Sequence, residues 1–435
     1  MPTIGRENLS ARSLSTRIRR AMKCARFKGG ASAGYAAKIG ASFAAFLLIA
    51  ACGRPQSVKV VDVPSTNSKE ELLTGAQRTS EYIPLLRGQR VAVVTNQTGI
   101  IGQRHLVDSL LTLKVNVVKV FAPEHGFRGD ADAGEHVKSG RDARTGLPLV
   151  SLYGDNKKPK PEQLADVDVI LFDIQDVGVR FYTYISTLHY VMEAAAESGK
   201  KVVVLDRPNP NGFYVDGPVL DMKCTSFVGM HPVPLVHGMT VGEYAGMING
   251  EGWLKKAVKC SLTVIPCSGY DHALTYDLPV RPSPNLPNAS SIYLYPSLGL
   301  FEGTIVSVGR GTDKPFQCIG YPGCPIGRYS FTPRSVPGAK EPPYKDKNCT
   351  GLDLQEYGSF SALQERRIDL KWLIGMYSDA PDRTKFFSPF FEKLAGTTEL
   401  RAQIVAGMEE TAIRASWVAG IDSFLIIRSK YLLYP

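Results

Sequence analysis

Four apolar runs in the first half of the chain each end in polar side chains of types that bind ligands or transfer protons. The runs are RVAVVT (90–95), VNVVKVF (115–121), DVILF (168–172) and KVVVL (201–205). The candidate site residues that follow them are Asn96, Glu124, His125, Arg128, Asp173, Gln175, Asp176, Arg180, Asp206 and Asn209. Carboxyl groups can transfer protons, and amides can bind hydroxyl groups. The set therefore favours a polyhydroxylated neutral ligand or chemistry that uses carboxyl groups.

Cleavage of a glycosidic bond is one reaction that such a set could perform. It generally needs a proton donor at the leaving oxygen and a carboxylate that acts at the opposite face of the sugar ring. We predict Glu124 as the donor, because it follows a strand and Pro123 and lies beside the aromatic Phe127. Asp173 and Asp176 are the predicted second catalytic carboxyl groups.

These assignments have structural alternatives. Glu124 could be a strand-end glutamate held by Arg128, and Asp173 could be a structural cap. Asp206 stands next to Arg207, so a salt bridge that fixes the loop is as good an interpretation as a substrate contact.

Metal, dinucleotide and nucleotide chemistry have weaker support. Acidic and histidine side chains cluster in the loop after the second run, at His125, Asp130, Asp132, Glu135 and His136, but they lack the HxxxH spacing of two ligands on one helical face. No GxGxxG follows the first run, and no GxxxxGK[ST] occurs. We therefore predict neither a metal nor a cofactor.

The second half of the chain adds a few candidate ligand-binding groups. Glycines on either side of Arg310 allow the backbone to approach a ligand, and the guanidinium could bind a carboxylate through two hydrogen bonds. Arg310 could instead pair internally with Glu302 or Asp313. Glu302 and His237 are also predicted to contact the substrate.

The elements that must position these groups follow a β/α rhythm. Continuous apolar runs are typical of strands buried on both faces, and a further strand is predicted at 261–266. Helical spacing of apolar residues occurs at 105–113 and at about 183–198, and Thr240 and Glu243 form a capping box. The pattern predicts an α/β fold with a Rossmann-like, mainly parallel sheet over 81–280. Ligands bind such sheets beyond the carboxyl ends of the strands.

After Tyr276 the composition changes. The segment RPSPNLPN (281–288) is rich in turn formers and is interpreted as a domain junction. Residues 281–435 are predicted to form a smaller C-terminal α/β (α+β) domain that closes the cleft. Its last part is expected to contain a helix over about 397–415 and a strand over 424–428.

The N-terminal segment is interpreted as a targeting signal. A basic region precedes the apolar stretch 39–51, which ends in Ala-Ala-Cys, so residues 1–51 resemble a lipoprotein signal peptide with lipid attached to Cys52. An ordinary signal peptide is the alternative. Residues 52–80 are predicted to be a flexible tether, and the protein is expected in the cell envelope, anchored to the periplasmic face of the outer membrane or the cell surface.

Removal of the signal also changes the charge of the chain. Nine Lys/Arg and one Glu in residues 1–51 carry +8 of the formal +10, so the mature chain is nearly neutral and has no electrostatic footprint for nucleic acid. The mature chain holds six cysteines besides Cys52, which could form up to three disulfides in an oxidising compartment: Cys224, Cys260, Cys267, Cys318, Cys324 and Cys349. Their pairing is left open.

Several ordered motifs from Leu86 to the end of the chain resemble the exo-β-N-acetylmuramidase family (NamZ type). They are TNQTG, APEHGFRG, FDIQDVGVRFYTY, DRPNP, SPNLPN, YPSLGLFEGT and VGRGTDKPF. The resemblance implies a Rossmann-like first domain, a smaller second domain and a cleft between them. It also implies release of N-acetylmuramic acid from non-reducing ends of peptidoglycan fragments, with Glu124 of APEHG at the position of the family's proposed catalytic glutamate. Arg310 or Arg128 is our hypothesis for the group that recognises the lactyl carboxylate of this sugar.

Two other functions remain open at this point. The chain could be a non-catalytic lipoprotein that binds cell-wall sugars through the same strand ends. It could also be a metal-dependent envelope hydrolase that uses the loop from Glu124 to His136.

Overall fold

The computed structural model of the chain describes residues 71–124, 126–128 and 140–435. The predicted signal peptide, the lipid attachment at Cys52 and most of the tether lie outside the described residues, as does His125. From residue 71 to the end, the described residues belong to one compact unit.

A seven-stranded sheet forms the centre of the first part. Its strands are β1 (Val91–Thr95), β4 (Val117–Ala122), β5 (Gly140–Arg141), β6 (Pro148–Ser151), β7 (Val169–Asp173), β8 (Lys201–Leu205) and β9 (Ser261–Ile265), while β2 (Ile100–Ile101) and β3 (Arg104–His105) form a separate hairpin. The order is β5-β6-β4-β1-β7-β8-β9, and only the β5–β6 pair is antiparallel. Without β5, this is the strand order of a Rossmann sheet, as predicted.

Helices cover both faces of this sheet. They are α1 (Thr79–Leu86), α2 (Leu106–Thr112), α3 (Pro161–Leu164), α4 (Tyr184–Glu197) and α5 (Val241–Gly250). Because side chains alternate along a strand, Val91 and Val93 of β1 share one core with α1 and α2, and Ala92 and Val94 share the other with α4 and α5. The predicted capping box opens α5, where the Glu243 amide donates to Thr240 Oγ1 and the Thr240 amide donates to Glu243 Oε2.

The C-terminal part is smaller and of mixed α/β type. Its helices are α6 (Ala289–Leu298), α7 (Gln355–Glu365), α8 (Lys371–Ser378), α9 (Phe390–Ala395), α10 (Glu399–Val405), α11 (Glu410–Ala415) and α12 (Val418–Arg428). Its strands β10 (Cys318–Tyr321), β11 (Tyr329–Phe331) and β12 (Cys349–Asp353) form an antiparallel sheet in the order β10-β12-β11. Short 3-10 helices lie at Gly75–Gln77, Met222–Cys224, Lys255–Ala257, Gly299–Gly303 and Arg383–Lys385.

Two secondary-structure predictions near the C-terminus are wrong. Residues 424–428 belong to α12, in which Phe424 faces the core and Ile426 is exposed. A short apolar run does not distinguish a strand from one face of a helix. The predicted helix over 397–415 is broken into α10 and α11 around Gly407, whose φ of 73° is left-handed.

The predicted tether is too long at its C-terminal end. Leu73 pairs with Ser268 through two backbone hydrogen bonds, and the Gly75 amide donates to the Asp206 carbonyl. Ala76 is fully buried, and α1 begins at Thr79. Residues 73–80 are therefore part of the folded body.

The six cysteines whose pairing was left open, from Cys224 to Cys349, are all free and buried, so the structure contains no disulfide among them. In the described part of the chain, no helix is long and apolar enough to span a bilayer.

Candidate active site

A cavity of about 240 Å³ lies where side chains from both parts of the fold meet. The Rossmann-like part contributes Glu124 from the turn after β4, Tyr153 after β6 and the segment 181–184 that leads into α4. The C-terminal part contributes Tyr295 of α6, Glu302, Arg310, Phe316 and two residues of α9, Phe390 and Leu394. Residues of both parts of the fold therefore line this cavity.

Glu124 is half-buried in the cavity wall and is oriented by a threonine. Thr183 Oγ1 donates a hydrogen bond of 2.8 Å to Glu124 Oε2. Thr183 is the N-cap residue of α4, but its side chain does not cap the helix. A residue type that usually satisfies a helix N-terminus is used here to hold a carboxyl group.

Arg310 and Glu302 form an ion pair in the same cavity. Arg310 Nε donates to Glu302 Oε1 at 2.7 Å, and the guanidinium lies 4.9 Å from the centre of the Phe316 ring. Arg310 Nη1 is buried and has no hydrogen-bond partner among the described residues. The predicted internal pair thus exists, and it leaves a donor available for an anionic ligand.

Aromatic side chains form much of the cavity wall. The Tyr182 and Tyr184 rings meet edge to face at 4.9 Å, and both hydroxyls donate to the Pro282 carbonyl, at 2.8 and 3.4 Å. The Tyr295 ring contacts Phe181 at 5.1 Å in the same manner. Both tyrosine hydroxyls are already engaged, so this wall offers a ligand apolar ring surface.

Asp173 does not fit the predicted role of second catalytic carboxyl group. It is fully buried at the end of β7, where Arg207 donates from Nε at 2.6 Å and from Nη2 at 3.0 Å to its two oxygens. It does not line the cavity. The carboxyl group is part of a buried salt bridge.

Asp206 and Asn209 are likewise structural and do not contact the cavity. Asp206 is fully buried and accepts four hydrogen bonds, among them 2.7 Å from Thr240 Oγ1 and 2.6 Å from the Tyr434 hydroxyl. Burial raises the pKa of Asp206 to about 6. Asn209 donates to the Met239 carbonyl and accepts from the Asn211 amide. The predicted substrate contacts are instead supports of the loops.

Asp176, Gln175 and Asn96 lie behind the cavity wall. Gln175 Nε2 donates to the backbone carbonyls of Asp176 and Pro208, and Asn96 Oδ1 accepts from Thr98. Asp176 Oδ1 accepts from the Gly178 amide at 2.7 Å, while Oδ2 is buried without a partner among the described residues. Burial raises the pKa of Asp176 to about 7. None of the three lines the cavity, which argues against the predicted catalytic and substrate-binding roles.

Arg180 is a structural clamp rather than a substrate ligand. It is fully buried, its Nη1 donates to the carbonyls of Pro218 and Val233, and its Nη2 donates to those of Leu394 and Ala395. Burial lowers the pKa of Arg180 to about 10. Through these bonds Arg180 ties the Rossmann-like part to the end of α9, whose Leu394 lines the cavity.

His237 and Arg128 also lie away from the cavity. His237 Nδ1 accepts from the Met239 amide, and burial lowers the pKa of His237 to about 3, so the ring is a neutral core group. Arg128 stacks on Phe127 at 4.2 Å and pairs with Asp142 at 3.0 Å. Arg310 is also paired, but it lines the cavity and keeps a buried Nη1 without a partner among the described residues, which favours Arg310 for recognition of a carboxylate.

Most of the residues proposed as metal ligands lie outside the described part of the chain. His125, Asp130, Asp132, Glu135 and His136 lie outside the described residues. Within 71–124, 126–128 and 140–435, no group of three or more His, Cys, Asp or Glu side chains could hold a metal ion.

Some lining residues were not selected from the sequence, namely Tyr153, Thr183, Phe227, Phe390 and Leu394. Thr183 stands inside the motif FYTY, and that motif was the available signal. Phe390 and Leu394 belong to α9, more than 260 residues after Glu124, and no local pattern marks them.

The fold and the site define a class of protein: a two-part α/β protein with a small cavity. Its described lining combines Glu124 and Glu302 with Arg310 and aromatic walls, as suits a sugar ring that carries an acidic group. Family models agree with this description. The model for the N-terminal region of the exo-β-N-acetylmuramidase NamZ matches residues 91–290, and the C-terminal model matches residues 293–434. The chain belongs to the exo-β-N-acetylmuramidase NamZ family.

Individual relatives support this assignment. The chain is 40% identical over 391 residues to the peptidoglycan β-N-acetylmuramidase NamZ of Bacillus subtilis (strain 168), with 85% of this chain and 93% of the relative covered. Two crystal structures of DUF1343 family proteins from Bacteroides fragilis NCTC 9343 are similar. One (BF0379) has a TM-score of 0.78 and 48% identity, and the other (BF0371) has 0.68 and 31%; each match covers 84% of this chain and 99% of the other.

Proposed function

We propose that the protein is an exo-acting glycoside hydrolase that releases N-acetylmuramic acid from non-reducing ends of peptidoglycan fragments, with Glu124 as general acid. Family membership and the 40% identical Bacillus muramidase support the activity. The observation that carries the assignment of Glu124 is its position in the cavity wall, where Thr183 holds one carboxyl oxygen.

The chemistry asks for a proton at the leaving oxygen. Glu124 Oε2 accepts a hydrogen bond from the Thr183 hydroxyl, which orients the carboxyl group in the cavity wall, and the protonated carboxyl group would deliver its proton to the glycosidic oxygen. Glu302 is the other carboxyl group in the lining, and it takes the place first assigned to Asp173 and Asp176. We propose that Glu302 acts at the opposite face of the sugar ring, since glycoside hydrolysis generally uses a pair of carboxyl groups.

Recognition of the muramyl sugar is assigned to Arg310. N-acetylmuramic acid differs from N-acetylglucosamine by a lactyl group with a carboxylate, so a cation in the cavity would favour the muramyl sugar. Arg310 Nη1 is buried without a partner among the described residues, and a buried donor of this kind costs free energy until a ligand satisfies it. The lactyl carboxylate would supply that acceptor.

The test uses two substrates that differ in how much acid catalysis they need. For Glu124→Gln we expect kcat on a muramyl disaccharide to fall by about 10²–10⁴-fold, the usual contribution of a general acid. The loss should be much smaller with a 2,4-dinitrophenyl muramide, because this leaving group departs without a proton. Binding of N-acetylmuramic acid, measured by calorimetry, should persist. Equal losses on both substrates would exclude Glu124 as the proton donor.

We further propose that residues 1–51 are removed and that Cys52 carries the lipid anchor, which would place the enzyme in the cell envelope. The support is the Ile49-Ala50-Ala51-Cys52 sequence after a basic segment. Cells expressing the wild type should incorporate a clickable fatty acid into the protein, and Cys52→Ser should abolish that label. A label that survives this substitution would refute lipidation at Cys52.

A further inference from the structure

A second hollow lies in the C-terminal part, directly beside the cavity. Its volume is about 660 Å³, within the range of roughly 300–1,000 Å³ typical of ligand pockets. One shared wall is the segment 283–287: Ser283 and Leu286 line the cavity, while Pro284, Asn285 and Pro287 line the second hollow. We call this second hollow the groove.

The loop before β10 forms the other shared wall. Arg310 and Phe316 line the cavity, whereas Gly311, Thr312 and Asp313 line the groove. The loop is tightly packed, because a Cβ on Gly311 would lie 2.5 Å from the Arg334 carbonyl. The same two chain segments therefore line both hollows, and a ligand longer than one sugar would enter the groove if it extended past them from the cavity.

The groove has the side chains of a carbohydrate site. Tyr329 and Phe331 stack with ring centres 6.0 Å apart, and this pair gives the groove an aromatic side. Ser330 and Thr332 also line the groove. Asn285 Nδ2 donates to the Gly338 carbonyl at 2.8 Å and so fixes the wall in place. A lining that combines aromatic and hydroxyl-bearing residues suits sugar rings, which have apolar faces and polar edges.

Among the charged side chains of the groove, one arginine is suited to bind a carboxyl group of a ligand. Arg281, Arg334 and Asp313 are its charged lining residues. Arg334 already pairs with Asp346 at 2.8 Å. Arg281 is exposed, and its side chain makes no ion pair or hydrogen bond with the described residues, although its carbonyl accepts from Gln97 Nε2. Arg281 is thus a cation at the groove that is free to bind an anion.

We propose that the groove binds the leaving saccharide, a β-linked amino-sugar chain that carries carboxyl groups, and that Arg281 pairs with one of those carboxylates. The proposal deepens the proposed function, because it assigns the part of the substrate beyond the bond that is cleaved. It predicts an enzyme that prefers longer peptide-free glycan fragments over disaccharides.

The experiment compares kcat/KM on an aryl muramide, a muramyl disaccharide and a peptide-free tetrasaccharide of the same repeat. Wild-type kcat/KM should be highest for the tetrasaccharide. Arg281→Met should lower the tetrasaccharide value by about ten-fold, the scale of one charge-assisted hydrogen bond, and leave the aryl muramide value unchanged. Arg328→Met, which removes an exposed arginine outside the groove, is the matched control. Ser330→Trp should remove the gain with length by filling the groove.

Calorimetry with the free trisaccharide product gives an independent measurement, and Arg281→Met should weaken its binding. A wild type without a gain in kcat/KM from disaccharide to tetrasaccharide would overturn the groove assignment, as would equal losses of Arg281→Met on all three substrates. A preference for peptide-bearing fragments over peptide-free ones would assign the groove to the stem peptide instead. Lack of turnover of the aryl muramide by the wild type would instead contradict the proposed function, and the product-binding measurement would still test the groove.

Discussion

Asp173 and Glu124 both lie at the carboxyl ends of buried parallel strands, but their surroundings differ. Asp173 ends β7 and has both oxygens bound by Arg207, and nearby Asp206 after β8 accepts four hydrogen bonds from its own loop and from distant elements. Glu124 after β4 accepts the Thr183 hydroxyl and lines the cavity. The ends of β7 and β8 hold the fold together, whereas the end of β4 faces a hollow.

This difference shows that polarity at the end of a strand does not by itself identify a site. A buried carboxyl group needs partners, and the protein supplies them wherever no ligand will do so. The groups that mark the site are those that face a cavity or keep an unsatisfied hydrogen-bonding atom there, such as Arg310 Nη1. Asp176 is intermediate, because it keeps an unsatisfied oxygen but does not reach the cavity.

The largest effect on the free energy of unfolding is expected from breaking the buried ion pair between Asp173 and Arg207. Asp173→Ala leaves the Arg207 guanidinium buried without its partner, and removal of one member of a buried ion pair costs about 3–5 kcal/mol of the free energy of unfolding. Asp168→Ala is a matched control, since Asp168 precedes the same strand and forms a similar two-pronged pair with exposed Arg90. Its effect should be far smaller. Urea denaturation of the purified proteins measures both.

A measurement of activity can contradict the purely structural role of Asp173. If Asp173→Asn folded normally but lost turnover of muramides, Asp173 would have a catalytic role that the buried pair with Arg207 does not suggest.

The next largest effect is expected at Arg310, on the side that faces the cavity. Arg310→Met should reduce kcat/KM for an aryl muramide relative to the matching aryl glucosaminide by about 10–150-fold, which corresponds to about 1.5–3 kcal/mol for a hydrogen bond to a charged group. The readout is the ratio of the two substrates, because loss of the Glu302 pair would affect both equally. An unchanged ratio would assign Arg310 to the support of Glu302 alone.

The sequence predicted the parallel sheet well, because buried strands have a local pattern of apolar residues. Continuous apolar runs indicated the parallel strands, and the polar residues after them indicated the edge where the site lies. Glu124 was selected this way, and it lines the cavity. By contrast, the apolar run at 424–428 is too short to distinguish a strand from a helix, and in the structure it lies in α12.

The sequence could not separate ligand-binding residues from supporting residues, because the partners that decide this are far away in the chain. Tyr434 bonds to Asp206 across 228 residues, and the carbonyls of Leu394 and Ala395 bind Arg180 across 214 and 215. Only the folded chain brings these groups together. Residues of the same types and at similar strand-end positions therefore received the same prediction, although their functions differ.

For Asp176, the intermediate case, we expect the free energy of unfolding to change with pH by about 2 kcal/mol. Burial raises its pKa from 3.8 to about 7, so between these values the folded state holds a proton that the unfolded chain has lost. Wild-type stability should therefore decrease as the pH rises through this window, and Asp176→Asn should remove that contribution. At pH 8 the free energy of unfolding of the variant should exceed that of the wild type by about 2 kcal/mol. At pH 4 the two should be nearly equal.

Urea denaturation at both pH values measures this difference. The comparison of variant and wild type cancels the contributions of other buried groups such as His237, which are the same in both proteins. A stability difference that did not depend on pH would show that the carboxyl group of Asp176 does not titrate in this window.

The smallest effect is expected at Thr183. This residue is the N-cap of α4, and its hydroxyl holds the carboxyl group of Glu124. Thr183→Val removes the hydrogen bond to Glu124 Oε2 and should lower kcat about five-fold, equivalent to about 1 kcal/mol. Thr183→Ser keeps the hydroxyl and should restore most of the rate. Thr187→Val removes a hydroxyl one turn later in α4, away from the cavity, and should leave kcat unchanged. If Thr187→Val slowed the reaction as much as Thr183→Val, the loss would come from the helix rather than from the orientation of Glu124.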